Sequence, residues 1–364
     1  MRRPGTGGRF GEQPAVFREN CVNSPALVDR FAATQLPPYC PAPPPQDMGT
    51  RQSAEWWNAL PMAEQQAYLQ FQPASLGAMD GLPAEVRHEA NLQVLREDAA
   101  SGHDRQSAQA LLDRIEGAWN DPGLENIYLL DYQPPERGSD ARVVASIGNP
   151  DTADNIGIYV PGTGSDLASA NGGLDRADDL RAAAEMVPGS GQTATVYWLG
   201  YDAPNNLLAA SGAGYASDGA GPLREFTQGL RESSTNPDVR VTVIGHSYGS
   251  TVIGHADAAD GPGLAVDDIV VMGSPGVGTN SIDGLHIDGD HFWAGMADDD
   301  SIRFTPGFIH GTLPVNEGFG GGTRIDTGDA SGHSGYWEAG GESIRNQAYI
   351  ITGNYGMVSD REHR

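Results

Sequence analysis

The 364-residue chain contains no lysine; all 22 of its basic residues are arginine. That absence removes Schiff-base chemistry, a pyridoxal phosphate anchor and the lysine of a phosphate-binding loop. Cysteine is nearly missing too, at Cys21 and Cys40. Two are too few for a disulfide scaffold and lack zinc-ligand spacing. They read as two unpaired thiols, with a Cys21–Cys40 bridge the alternative for an exported protein. No stretch approaches the roughly 20 continuous apolar residues of a membrane helix, and Met1-Arg2-Arg3-Pro4-Gly5 does not lead into an apolar signal core. A soluble, cytoplasmic protein is the default expectation, with export lacking a cleaved N-terminal signal left open. Basic charge is scarce against 48 Asp and Glu, and the formal charge is −26. This argues against nucleic acid or anionic membrane as a partner, since both need a basic face.

What is present suffices for a folded core: 38% of the residues are hydrophobic, enough for one large α/β domain with an appended region. Residues 1–52 are Pro-rich and Gly-rich without sustained periodicity and read as a loosely ordered leader. Residues 53–120 carry helical spacing, at Trp56, Trp57 and Leu60, then Val86, Ala90 and Val94, then Leu111, Leu112 and Ile115. Pro61, Pro73 and Pro83 sit where helices begin or stop, and Ser53 or Asp104 supplies a cap, giving three or four helices. Residues 121–364 alternate short β-rich runs with Gly-rich turns and helices. Strands are expected at 126–131, 142–147, 156–160, 193–199, 239–244, 269–272 and 292–296, with helices at 174–186 and 223–232. The pattern predicts a doubly wound, mostly parallel α/β sheet.

Within that pattern, Gly245-His246-Ser247-Tyr248-Gly249 stands between the strand-like Arg240-Val241-Thr242-Val243-Ile244 and a stretch able to start a helix. Gly-x-Ser-x-Gly alone is a weak signal; on a strand-to-helix turn it is the nucleophile elbow, which projects a serine Oγ above the sheet. The bland alternative, a serine that merely caps a helix, leaves the rest of the constellation to coincidence. A serine hydroxyl needs a base, and the expected chain order is Ser, acid, His. His333, in a small-residue loop after the last expected strand, is the choice, and His310 is the competitor. The acid falls among Asp298, Asp299 and Asp300, which spacing does not separate. An oxyanion needs backbone donors. Tyr248 supplies one, and Thr163 or Gly164, in the Gly-rich loop after an earlier strand, supplies the other. Gly162-Thr163-Gly164 lacks the third glycine of a dinucleotide loop, and the short acidic runs lack a full calcium-ligand set, so no cofactor or metal is expected.

Together these residues resemble an actinobacterial α/β-hydrolase family first catalogued as a domain of unknown function with a predicted Ser-Asp-His triad. The likeness runs from about Trp57 to the C-terminus. Its marks are Leu76-Gly77-Ala78-Met79-Asp80-Gly81-Leu82-Pro83 with Arg87-His88-Glu89-Ala90-Asn91, then Val160-Pro161-Gly162-Thr163-Gly164-Ser165, Trp198-Leu199-Gly200-Tyr201-Asp202-Ala203-Pro204, the elbow, and Gly273-Ser274-Pro275-Gly276. The resemblance implies the α/β-hydrolase fold, an acid two residues before an aliphatic one, Asp300 with Ile302, and a final histidine followed by serine, His333-Ser334. Two positions depart from the family pattern: its Gly-Asn-Leu-Asp-Gly is Gly77-Ala78-Met79-Asp80-Gly81, and the Gly and Pro flanking its acid are Asp299 and Ser301. Asp299 therefore stays an alternative acid.

The function expected is a serine hydrolase cleaving a carboxylic ester with a small-molecule or lipid-like acyl group, through an acyl-enzyme on Ser247. An amidase or peptidase using the same triad, and a non-enzymatic hydrolase scaffold that binds or is secreted as cargo, are the alternatives. The large cap often inserted before the last strand is missing, so any lid comes from the N-terminal helices or from the small-residue loop 202–222.

Overall fold

The computed structural model describes residues 40–45, 48–136, 139–258 and 263–360. Most of the expected leader, Cys21 included, lies outside the described residues. Cys40 is disulfide-bonded, against the expectation of a free thiol.

Among the described residues, five helices precede the sheet: α1 (Thr50–Ala59), α2 (Met62–Phe71), α3 (Pro73–Gly77), α4 (Ala84–Ser101) and α5 (Arg105–Asn120). Pro61 and Pro83 stand at the N-caps of α2 and α4, and Pro73 opens α3, positions where a missing N–H costs no helical hydrogen bond. Asp104 caps α5 by accepting from the Ser107 N–H at 3.3 Å. Ser53 does not cap. Helix α1 starts after Gly49, whose N–H donates to Gln52 Oε1 at 3.2 Å, and the Ser53 hydroxyl donates back to the Gly49 carbonyl. Trp57, Leu76, Leu82 and Ala90 form a small apolar cluster of their own, whereas Leu95, Leu111 and Ile115 join the main core.

Eight strands follow among the described residues: β1 (Ile127–Gln133), β2 (Arg142–Ile147), β3 (Asn155–Val160), β4 (Thr193–Leu199), β5 (Arg240–His246), β6 (Asp268–Met272), β7 (Phe292–Gly295) and β8 (Thr323–Arg324). Their spatial order is β1-β2-β4-β3-β5-β6-β7-β8. The first two pairings are antiparallel and the remaining five parallel. Every residue of β3, β4 and β6 is buried, the near-continuous apolar run of strands covered on both faces. The outer edge at β1 is closed by α4. The Leu129 N–H donates to His88 Nδ1 at 3.0 Å and the Tyr132 N–H to Asn91 Oδ1 at 3.3 Å, which pairs backbone groups an edge strand leaves open.

Helices α6 (Ala170–Glu185), α7 (Gly214–Ser233), α8 (Tyr248–Asp257) and α10 (Glu342–Ile351) cover the sheet, and a four-residue α9 (Gly307–His310) follows β7. Helix α7 starts nine residues before the expected 223–232 helix, within the stretch read as a loop. Five of its first eight residues are Gly or Ala, which carry no strong apolar period, and Pro222 lies inside it. The connection β3-α6-β4 runs one way along the sheet and β5-α8-β6 the other, so right-handed crossovers put α6 and α8 on opposite faces. Strand order therefore reverses between β3 and β5, and a crevice opens beyond their carboxyl ends. Among the described residues, no helix is long and apolar enough to cross a membrane.

Candidate active site

Strand β5 delivers the chain to that crevice and ends at His246, α8 begins at Tyr248, and Ser247 is the single residue between them. Its φ of 53° and ψ of −128° make it the only non-glycine residue with positive φ among the described residues. Such a backbone costs a serine on the order of 1–3 kcal/mol and persists only where its surroundings over-determine it. Here they do. A side chain at Gly249 would collide with the carbonyl oxygens of Val160 and Pro161, and a Cβ at Gly245 would lie 2.7 Å from Ile253 and from the Ser250 Cα. The Ser247 N–H donates to Met272 O at 3.1 Å, and the Ser247 carbonyl accepts the Ser250 hydroxyl at 2.5 Å. Ser250 Oγ also meets Ser274 Oγ at 2.7 Å, and Thr251 Oγ1 donates to Gly276 O at 2.8 Å, so the 273–276 turn pins the start of α8.

The three consecutive aspartates after β7 separate by environment. Asp300 is fully buried and accepts from His333 Nδ1 at 2.9 Å, from the Tyr336 hydroxyl at 2.5 Å and from the Ile302 N–H at 2.9 Å. Burial alone raises its carboxyl, but these bonds outweigh burial and hold it below the usual carboxylate range. Asp299 instead accepts from Ser331 Oγ at 2.6 Å and the Gly332 N–H at 2.7 Å, tying down the loop that carries His333. The Asp298 carbonyl accepts from Arg303.

His333 is thus held at Nδ1 by Asp300, with about a third of its side chain exposed. Its own carbonyl accepts from His246 Nε2 at 2.7 Å, and the two rings lie 4.6 Å apart. A carbonyl only accepts, so Nε2 of His246 carries the proton; burial pushes this ring down to about 3, leaving it neutral. The residue before Ser247 therefore grips the residue that Asp300 orients. No hydrogen bond joins Ser247 Oγ to His333 among the described residues. Neither His246, inside the elbow motif, nor Tyr336, three residues after His333, is singled out by the sequence pattern. Tyr336 is buried, donates to Asp300 and accepts the Ala297 N–H at 3.1 Å.

The loop after β3 lies directly on the elbow: a Cβ at Gly162 would sit 2.7 Å from Ser247 Cβ and 2.9 Å from the Tyr248 nitrogen. Of the two donors expected in this loop, Gly164 is taken, its N–H donating to Pro204 O at 2.9 Å. Thr163 lines a cavity of about 290 Å³ together with Ser247 and Tyr248, and the other walls include Leu207, Pro275, Ile302, Phe304 and Ile309. His310 also faces this cavity but does not contact Asp300. Its Nε2 donates to Ala210 O at 2.6 Å, and its ring packs edge-on against Tyr248.

A family profile described as Alpha/beta hydrolase matches residues 124–309, just over half of the chain and the stretch that holds Ser247 and Asp300. The chain belongs to the α/β-hydrolase family. The chain is 29% identical over 392 residues to an uncharacterized protein of Mycobacterium tuberculosis, covering 88% of this chain and 59% of the relative. It is 31% identical over 192 residues to an uncharacterized protein of Mycobacterium bovis, covering 50% of this chain and 70% of the relative. The chain thus spans less than two thirds of the length of the first of these. Among solved structures, it is similar to an esterase of Pyrobaculum calidifontis, at 15% identity and a TM-score of 0.40 over 72% of this chain and 97% of that one. It is also similar to a Trichoderma reesei cutinase bound to a phosphonate inhibitor, at 16% identity and a TM-score of 0.34 over 72% and 96%.

Proposed function

We propose that this hydrolase cleaves carboxylic esters through an acyl-enzyme on Ser247, with His333 as general base and acid, Asp300 as the orienting carboxylate, and the Tyr248 and Thr163 N–H groups as oxyanion donors. The observation that carries the reading is the positive φ of Ser247 at the end of β5, strain that a structural serine has no reason to bear. The Asp300–His333 pair at the same edge of the sheet supports it.

In this mechanism, Ser247 Oγ attacks the acyl carbon while its proton passes to His333 Nε2, and the carbonyl electrons move to the oxygen facing the Tyr248 and Thr163 amides. Collapse breaks the ester C–O bond, and His333 returns the proton to the leaving alkoxide oxygen. Water then repeats the sequence on the acyl-enzyme, releasing the acid and Ser247. Bonding between Ser247 and His333 is commonly loose before substrate arrives, and rotation of the serine side chain closes it. Asp300 stays ionised throughout, because three donors stabilise its charge.

The walls of the cavity favour an ester over a peptide. They are mainly aliphatic and aromatic, with no charged side chain among them to recognise peptide termini. Nitrophenyl esters of rising acyl length test the proposal, with Ser247→Ala as control. Hydrolysis by the native protein and a loss of at least about 10³-fold in Ser247→Ala is the expected result; equal rates in both would refute it.

A further inference from the structure

Nine large hydrophobic side chains are strongly exposed among the described residues, and four of them, Leu207, Leu208, Phe304 and Phe308, stand on the two segments that wall the Ser247 cavity. Their exposures run from 77% to 89%. These segments, residues 203–216 and 301–311, carry a single formally charged side chain, Arg303, in a chain that is 19% charged overall. The exposure is built in. The turn bearing Leu207 and Leu208 is closed by the Ala209 N–H on Asn206 Oδ1 at 3.0 Å, and anchored by His310 to Ala210 O and by the Tyr248 hydroxyl to Gly212 O, each at 2.6 Å.

We propose that this rim docks the protein on a neutral lipid–water surface, from which the ester enters the cavity. The inference rests on the ester-hydrolase reading above. An apolar patch held rigid at a site's mouth marks an interaction surface. A second protein copy seated there would cover the opening to Ser247, whereas a lipid layer supplies the molecules the cavity is shaped to receive. The net charge of −26 repels an anionic membrane, and the single basic group of the rim, Arg303, is too little to offset it, so the surface it fits is zwitterionic or uncharged.

The test uses the full chain and Leu208→Ser/Phe308→Ser. Neither residue lines the cavity, and both are more than four-fifths exposed, so the exchange removes little packing. Flotation with pure phosphatidylcholine vesicles measures docking, nitrophenyl butyrate in solution measures the chemistry, and tributyrin below and above its solubility limit joins the two. The native protein is expected to bind vesicles and to accelerate once tributyrin forms droplets. The double variant should keep its nitrophenyl butyrate rate within about twofold, while losing vesicle affinity by at least about tenfold per side chain, the worth of burying one large apolar group. Vesicle binding that is absent, or unchanged in the variant, would overturn docking. So would a native dimer in sedimentation equilibrium that the double substitution dissociates, which assigns the face to a second copy. Failure on nitrophenyl butyrate by the native protein would count against the ester reading instead, with vesicle binding still read separately.

Discussion

Around Ser247 the chain spends stability to hold geometry, and the neighbouring His246 shows how the histidine is held as well. The His246 N–H reaches the His333 carbonyl at 2.7 Å from a buried, neutral ring. Removing it takes away one of the bonds that hold the 331–335 loop, beside those from Asp299. His246→Leu is expected to lower kcat on a soluble nitrophenyl ester by at least about tenfold, with KM changed less than about twofold, because misplacing a catalytic group costs rate more than binding. His246→Gln carries an amide N–H to nearly the same place and should restore most of the rate. Equal losses in both, or none in His246→Leu, would contradict the role. The elbow itself is legible in sequence because its glycine spacing and preceding strand are local. Asp300 is not: three adjacent aspartates look alike until burial and the Tyr336 hydroxyl, 36 residues away, distinguish one. Gly164 was legible only as a glycine, since the Pro204 carbonyl that occupies its N–H lies 40 residues on.

Among the elements, the 202–213 strap is coupled to the elbow through one side chain. The Tyr248 hydroxyl donates to Gly212 O at 2.6 Å and accepts from the Ala216 N–H at 3.2 Å, so the residue after Ser247 holds both the end of the strap and the first turn of α7. Tyr248→Phe keeps the backbone N–H and removes both bonds. Faster amide hydrogen exchange is expected across 206–216, together with a stability loss of about 1–3 kcal/mol; unchanged exchange there would show that His310 alone anchors the strap. The main strands were readable because parallel strands buried on both faces are short apolar runs. The two-residue β8 was not, being too short to carry a period, and the start of α7 was hidden by its Gly and Ala. Helix α4 shows a middle case: its periodicity is visible, but the capture of edge-strand amides by His88 and Asn91 is a tertiary contact.

For the molecule as a whole, acidification should weaken the fold before most carboxylates titrate. Burial pushes His246 down to about 3, and burial together with Arg96 takes His88 to about 4. Between pH 7 and 5 the unfolded chain protonates these rings and the folded chain does not, so stability falls with pH, by about 2 kcal/mol each at pH 5. Asp131 works in the opposite sense. Burial raises it to about 6, so the folded chain takes up a proton that the unfolded carboxylate does not, returning about 1 kcal/mol. These three groups together lose about 3 kcal/mol; Asp80 and Asp151, raised by burial, act with Asp131, and His255 and His310, lowered by burial, act with the two histidines. A lower urea midpoint at pH 5 than at pH 7 is expected, and an unchanged or higher one would contradict it. The central claim, that the strained elbow presents an activated nucleophile, is tested most directly by labelling the folded protein with a fluorophosphonate probe and mapping the adduct by peptide mass spectrometry. A single adduct on Ser247, slowed at least about 10²-fold by His333→Ala and abolished by Ser247→Ala, is predicted. No adduct on Ser247 in the folded protein, or labelling at the same rate without His333, would contradict it.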